Sequence, residues 1–255
     1  MDETLRVTAH NRDAWNAIAP ARGPRPAEFF AEGGTTFDDV EAEALGDLKG
    51  QRALHLQCAN GNETLSLAVL GAEAVGVDIS DVAVAIAREN AEATGLPCAF
   101  TAADVYGLPD LGDFDLVYSS SGAVCWLPDL PAWAGIVASL LRPGGRFLLY
   151  EHHPLWEVLD TADTGLRIDD DYFGADRAEH GARPDDRRSA MGTTADSDFI
   201  SFVWPVGNVV TALIGAGLRI TGLTEQPEAD MYPGLGERAA WLPATYLVQA
   251  VKPVN

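Results

Sequence analysis

The sequence predicts an α/β protein built on a mostly parallel sheet with helices on both faces. Three observations carry this. Short apolar strands alternate with helical stretches from about residue 37 to residue 153, the pattern of a buried parallel sheet. Gly71, Gly95 and the run Pro143-Gly144-Gly145 stand where those helices should stop. The 255 residues, 47% of them hydrophobic, suffice for one large domain or two small ones, with a core that needs no disulfides.

Taken in order, residues 1–36 read as a cover segment. A short helical stretch around Asn11–Ala19 runs into Pro-Ala-Arg-Gly-Pro-Arg-Pro, which cannot continue it. Phe29 and Phe30 are the residues expected to anchor the segment. Residues 37–255 read as the main domain. Asp38–Leu48 is a helix with acids in its first turn. Residues 52–58 form a strand, Asn62–Leu70 a helix, and residues 74–78 a second strand. Ser80 caps a helix over Asp81–Thr94 whose apolar face is Val82, Ile86 and Ala93. Strands at 98–103 and 114–120 follow, then a helix over Ala132–Leu141, stopped by Pro143-Gly144-Gly145, and a fifth strand at 146–152. After an interruption, a helix at 207–217 and strands at 218–226 and 243–253 close the chain, with a Pro/Gly-rich connection between those two strands.

The interruption, residues 155–200, holds twelve acids and five bases. It reads either as a solvated insertion or as a lid, since long loops inside compact domains are often functional. Across the whole chain, 38 acids face 17 bases, a net charge of −21. That balance disfavours binding to a nucleic-acid backbone or an anionic membrane. The hydrophobic fraction disfavours a disordered acidic chain. The three cysteines, Cys58, Cys98 and Cys125, form neither a disulfide framework nor a CxxC metal motif, and there is no apolar leader or span. The expectation is a reduced, cytoplasmic protein that acts on small molecules and holds no metal.

In an open parallel sheet, ligands bind beyond the carboxyl ends of the strands. Those ends read Gln57-Cys58-Ala59-Asn60-Gly61, Asp78-Ile79-Ser80, Ala103-Asp104-Val105, Ser119-Ser120-Ser121-Gly122 and Glu151-His152-His153-Pro154. Asp78 can accept both hydroxyls of a ribose, and Asp104, one strand on, the exocyclic amine of an adenine. Gly61 lets the backbone approach a ligand at a helix N-terminus.

At this point the chain resembles a class I S-adenosylmethionine (SAM) dependent methyltransferase, closely over residues 48–153 and by element order over 199–253. Gly-Ala-Glu-Ala-Val-Gly-Val-Asp-Ile-Ser at 71–80 is similar to the family's second motif, and Ala-Ala-Asp-Val-Tyr-Gly-Leu-Pro at 102–109 to its third. The first motif, usually acid-x-Gly-x-Gly-x-Gly, is here His55-Leu56-Gln57-Cys58-Ala59-Asn60-Gly61. Its Leu-Gln-Cys, with Trp126-Leu127-Pro128-Asp129 and Glu151-x-His153-Pro154, resembles a small-molecule branch of the family. The resemblance implies a Rossmann-like seven-stranded sheet with an antiparallel last strand, and SAM as cofactor. It places SAM against Gln57, Cys58, Ala59, Gly61, Asp78, Ile79, Asp104, Val105 and Ser119. Gln57 and Ala59 carry side chains where the family has none, so the loop must open slightly or Gln57 must contact SAM's methionine end.

Methyl transfer from a sulfonium needs alignment more than charge stabilisation. His153 is the expected base for an acceptor that must lose a proton. Glu151, on the same side of the strand, would orient it or bind a substrate amine, with His152 on the opposite face. Trp15, Trp126, Tyr172, Trp204 and Tyr232 are the expected substrate walls. The Ser119-Ser120-Ser121-Gly122 end lacks the Asn/Asp-Pro-Pro-Tyr of many nucleobase amine methyltransferases. Two alternatives stand beside this reading: a SAM-binding protein repurposed for other chemistry or regulation, and a nicotinamide-dependent oxidoreductase, which wants a G-x-G-x-x-G that the chain lacks. The sequence leaves open the acceptor and the atom methylated.

Overall fold

A computed structural model describes residues 3–120, 122–161, 166–174, 179–181 and 198–254. Seven strands form its central sheet: β1 (Arg52–Leu56), β2 (Glu73–Asp78), β3 (Cys98–Ala102), β4 (Phe114–Ser119), β5 (Leu141–His152), β6 (Arg219–Gln226) and β7 (Thr245–Val251). Their order is β6-β7-β5-β4-β1-β2-β3. The first five strands pair in parallel, and β7 runs antiparallel between β5 and β6. This is the mostly parallel seven-stranded sheet that the resemblance implies.

Alternate residues along each strand serve the two faces. Leu54, Val77, Val117, Leu149 and Val248 pack under helices α6 (Leu130–Leu140) and α8 (Val206–Gly215), around the fully buried Trp133. Ala53, Ala74, Leu116, Tyr118, Leu148 and Leu247 face α3 (Asp39–Leu45) and α4 (Asn62–Val69). Helix α5 (Asp81–Thr94) is capped by Ser80, whose hydroxyl accepts from the Ala83 amide at 3.0 Å. Its buried residues are Ala83, Val84, Ala87 and Ala91, not the expected Val82, Ile86 and Ala93. Small side chains let α5 come close to β3 and its Phe100, so alanines hold the contact and the larger Val82 and Ile86 lie at its margin.

Three other expectations shift. Helix α1 spans Glu3–Ile18, two turns more than expected, because its buried positions include the polar Thr8 and Asn11 beside Val7 and Ile18. Strand β5 begins at Leu141, so Pro143-Gly144-Gly145 sits within an irregularity of its pairing with β4. The insertion opens with α7 (Pro154–Val158) and returns at Phe199–Ser201, which pairs with Glu179–Gly181. Residues 162–165, 175–178 and 182–197 lie outside the described residues, and so does that part of the expected lid. Among the described residues, no helix is long and apolar enough to cross a membrane.

Helix α2 (Ala27–Ala31) fixes the cover segment through Phe30, which is 1% exposed and packs with Cys58, Leu65, Val84 and Phe100. Phe30→Ala should lower stability by about 3–5 kcal/mol, the usual cost of a buried Phe. Urea unfolding followed by circular dichroism measures it, and an unchanged midpoint would show that the segment is not part of the cooperative core.

Candidate active site

A cavity of about 460 Å³ opens at the carboxyl ends of β1 to β5. Its floor is the loop between β1 and α4. Gln57 and Ala59 hold left-handed backbone there, at φ 58° and 46°, and Gly61 follows at φ 85°. The loop therefore does not open to fit its side chains. It keeps the glycine conformation at two residues that are not glycine, which costs about 1–2 kcal/mol each. Local hydrogen bonds hold this geometry. The Cys58 amide donates to the Val77 carbonyl at 2.9 Å, the Ala59 amide to Asp78 Oδ2 at 2.7 Å, and Gln57 Nε2 to the Ala123 carbonyl at 2.8 Å. Gln57 Oε1 is buried and accepts from no donor among the described residues. Gly61 is required sterically, since a Cβ there would stand 2.8 Å from Phe100 and 2.9 Å from Ala87.

Asp78 ends β2 on the cavity wall, its second oxygen accepting from the Ser80 amide at 2.8 Å. The backbone amides of Ala59, Ser80 and Ile79 all act on the carboxylate, which keeps acceptor capacity for a ligand. Burial pushes the Asp78 pKa up, while backbone donors and Arg22 pull it down. Asp104, Ile79 and Val105 line the same side. Asp104 accepts from the Tyr106 amide at 3.0 Å and from the Thr8 hydroxyl of α1 at 2.5 Å, so an adenine amine there would share the carboxylate with Thr8. Of the other expected cofactor residues, Gln57 and Ala59 are walls. Cys58 and Gly61 lie beneath them in the packing of Phe100, and Ser119 gives way to Ser120.

The roof joins the cover to the end of the insertion. Trp15 on α1 meets Trp126 edge-on at 5.4 Å, and Phe199 lies 5.2 Å from Trp15 and 5.0 Å from Trp126. The Asn11 side chain donates to the Ile200 carbonyl at 2.8 Å and accepts from its amide at 2.9 Å. The Arg22 guanidinium lies 5.2 Å over the Trp15 ring. Trp15 and Trp126 both line the cavity.

The opposite wall corrects the catalytic assignment. Tyr150 and His152 of β5 line the cavity together with Tyr118 of β4. The expected alternation along β5 holds, but the cavity lies on the side of His152. His153 caps α7 by accepting from the Leu155 amide at 3.2 Å, and its Nε2 lies 3.0 Å from Glu225. Burial pushes its pKa down, against the pull of Glu225. His153 is a structural cap, not a base at the cavity. Glu151 likewise faces away from the cavity. Its carboxylate accepts from the amides of Gly122, Ala123, Val124 and His152, with burial raising its pKa to about 7. It staples the β4–α6 loop, which supplies Gly122, Ala123, Cys125 and Trp126 to the cavity.

Three expected substrate walls serve packing instead. Trp204 donates to the Leu127 carbonyl at 2.9 Å and stacks on Phe202. Tyr232 is buried, its hydroxyl donating to the Pro243 carbonyl at 2.8 Å. Tyr172 pairs with Phe173 away from the cavity walls. His55, where the family has an acid, is buried between Thr64 and Ser120 at 3.0 and 2.9 Å, and burial drops its pKa to about 3, so it is neutral.

Sequence reasoning missed Thr8, Asn11, Arg22, Glu41, Tyr118 and Tyr150. The polar residues on the buried stripe of α1 were the available signal for the first two. For Tyr118 and Tyr150, the sheet order is needed to know which face carries the cavity.

The loop makes two opposed changes informative. Ala59→Gly should raise stability by up to about 1 kcal/mol by relieving the left-handed strain. Gly61→Ala should lower it by about 2 kcal/mol or more. Thermal denaturation of both variants measures this, and equal effects would refute the strain. Glu151→Gln sets two donors and one acceptor against backbone amides that all donate. It should cost about 1–3 kcal/mol and raise hydrogen exchange at residues 122–124. Unchanged exchange would show that the loop does not depend on this carboxylate.

Residues 53–145 match a family described as a methyltransferase domain. A ubiquinone biosynthesis O-methyltransferase of Rhodopseudomonas palustris is 25% identical over 162 residues, 63% of this chain and 64% of that protein. A methyltransferase of Synechocystis sp. is 35% identical over 135 residues, 51% of this chain and 60% of that protein. The chain therefore matches less than two thirds of the length of these curated relatives. A crystal structure of a SAM-dependent methyltransferase from Mesorhizobium loti is similar with a TM-score of 0.63 and 26% identity, over 83% of this chain and 96% of that one. The strand order and this likeness agree on a class I SAM-dependent methyltransferase fold, within which residues 53–145 match the methyltransferase domain.

Proposed function

We propose that the chain is a SAM-dependent methyltransferase acting on a small-molecule acceptor, with residues 1–36 as cover and 37–255 as the domain that holds the site. The observation that carries this reading is Asp78, a carboxylate at the end of β2 with acceptor capacity on the cavity wall, tied to the left-handed loop by the Ala59 amide.

The residues fit SAM. Asp78 and Asp104 offer acceptors on neighbouring strands for a ribose and an adenine. Gln57 and Ala59 bring the loop to the cavity wall beside Asp78. Arg22 supplies a guanidinium on the cavity wall for a carboxylate. Bound there, SAM supplies a methyl group on a sulfonium sulfur.

The chain's own part is alignment and exclusion of water. The Trp15–Trp126–Phe199 roof shields the cavity, and the Glu151 staple fixes the loop beneath it. Because β2 and β3 lie on one side of β1 and β4 and β5 on the other, the acceptor belongs to the side of Tyr118, Tyr150 and His152. For an acceptor that must lose a proton, His152 is the ring that faces the reaction, and it replaces His153 in that role.

Calorimetry with S-adenosylhomocysteine tests the reading. Wild-type protein should bind at one site. Asp78→Ala, still folded by circular dichroism, should bind about a hundredfold more weakly, since two hydrogen bonds to a charged group carry about 3 kcal/mol. No binding to wild-type, or unchanged affinity in the variant, contradicts it.

A further inference from the structure

The cavity extends beyond the residues assigned above to the cofactor. This extension lies between the N-terminus of α3 and the ends of β4 and β5. Tyr150 and Trp156 supply aromatic wall, Tyr118 is buried behind Glu41, and Asp38 and Glu41 supply carboxylates. Among the described residues, six carboxyl side chains and one guanidinium line the cavity. SAM brings a net charge of about +1 and leaves most of that excess in place. A concave site lined by one sign of charge concentrates the opposite sign. We infer, on the basis of the methyltransferase reading above, that the acceptor is an organic cation, carrying a protonated amine or an equivalent group bound by Asp38 and Glu41 among these rings.

The bland account of the two acids is helix capping, and it is incomplete. Asp38 accepts from the Glu41 amide at 2.9 Å, and Glu41 answers toward the Asp38 amide at 3.3 Å. The other Glu41 oxygen accepts from the Tyr118 hydroxyl. Among the described residues, neither Asp38 nor Glu41 pairs with a cationic side chain within 4.0 Å. Burial pushes the Glu41 pKa up to about 7, with Asp38 and Glu63 adding to the rise. Asp38 and Glu41 are thus carboxyl groups that the described residues leave without a cation, and a bound cation would favour the ionised form of Glu41.

The shape favours an organic cation over a metal ion. Among the described residues, no group of three or more His, Cys, Asp or Glu side chains is arranged to hold a metal. Aromatic faces beside carboxylates are instead the setting in which ammonium groups bind.

Three probes that share one ring and differ in charge test the inference: tyramine, 4-methylphenol and 4-hydroxyphenylacetate. Each is titrated calorimetrically into the full chain saturated with S-adenosylhomocysteine. Tyramine should bind at least about tenfold more tightly than 4-hydroxyphenylacetate, with 4-methylphenol between them. Asp38→Asn with Glu41→Gln keeps good capping residues, so the fold should persist by thermal denaturation, and the preference should fall to within about threefold. The inference is overturned if the anion binds as tightly as the cation. It is equally overturned if the preference survives the double substitution, or if none of the three probes binds. If wild-type protein does not bind S-adenosylhomocysteine, the methyltransferase reading fails by itself, and the same titrations without it still decide the charge preference.

Discussion

The Asp78 carboxylate accepts backbone hydrogen bonds from two loops at once, the Ala59 amide after β1 and the Ser80 amide after β2. That double acceptance joins the two strand ends, and much of the site follows from it. It steadies the turn in which Gln57 and Ala59 stand at positive φ, a conformation that either residue would leave if the loop were free. It sets Ser80 to cap α5, and Ser80 in turn donates to Asn16 of the cover helix at 2.6 Å. A single buried acid thereby links strand, loop, helix and cover. The cost is desolvation, visible in the raised Asp78 pKa, and the backbone donors with the nearby Arg22 offset part of it.

A second buried acid does the parallel work across the sheet. Glu151 gathers the amides of residues 122–124, as a carboxylate gathers orphan donors at a helix N-terminus. The loops after β1 and β4 meet where Gln57 Nε2 donates to the Ala123 carbonyl. The two carboxylates therefore fix both sides of the cavity floor through backbone groups, which leaves the side chains above free to vary with the ligand.

Most of the fold was legible in the sequence because strand hydrophobicity and glycine stops are local signals. Ser80, Gly71, Gly95 and the apolar runs of β1 to β5 placed those elements without tertiary information. The site was half legible. Asp78 and Asp104 could be found because strand ends are where ligands bind in such sheets. His153 was misplaced although its alternation with His152 was read correctly. Parity along a strand is local, whereas the face that carries the cavity depends on helices distant in sequence. The walls formed by α1 and α3 were hidden for the same reason: Thr8 reaches Asp104 across 96 positions, and Tyr118 reaches Glu41 across 77. Trp204 and Tyr232 misled because a large aromatic side chain fills core more often than it lines a pocket.

The central claim is that the β2 and β3 ends hold the nucleoside and the β4 and β5 ends hold the acceptor. A crystal structure with S-adenosylhomocysteine tests it most directly. The account predicts both ribose hydroxyls on Asp78, the adenine beside Asp104, and the sulfur facing open space bounded by Tyr118, Tyr150 and His152. A ribose away from Asp78, or a sulfur turned toward β3, would contradict it.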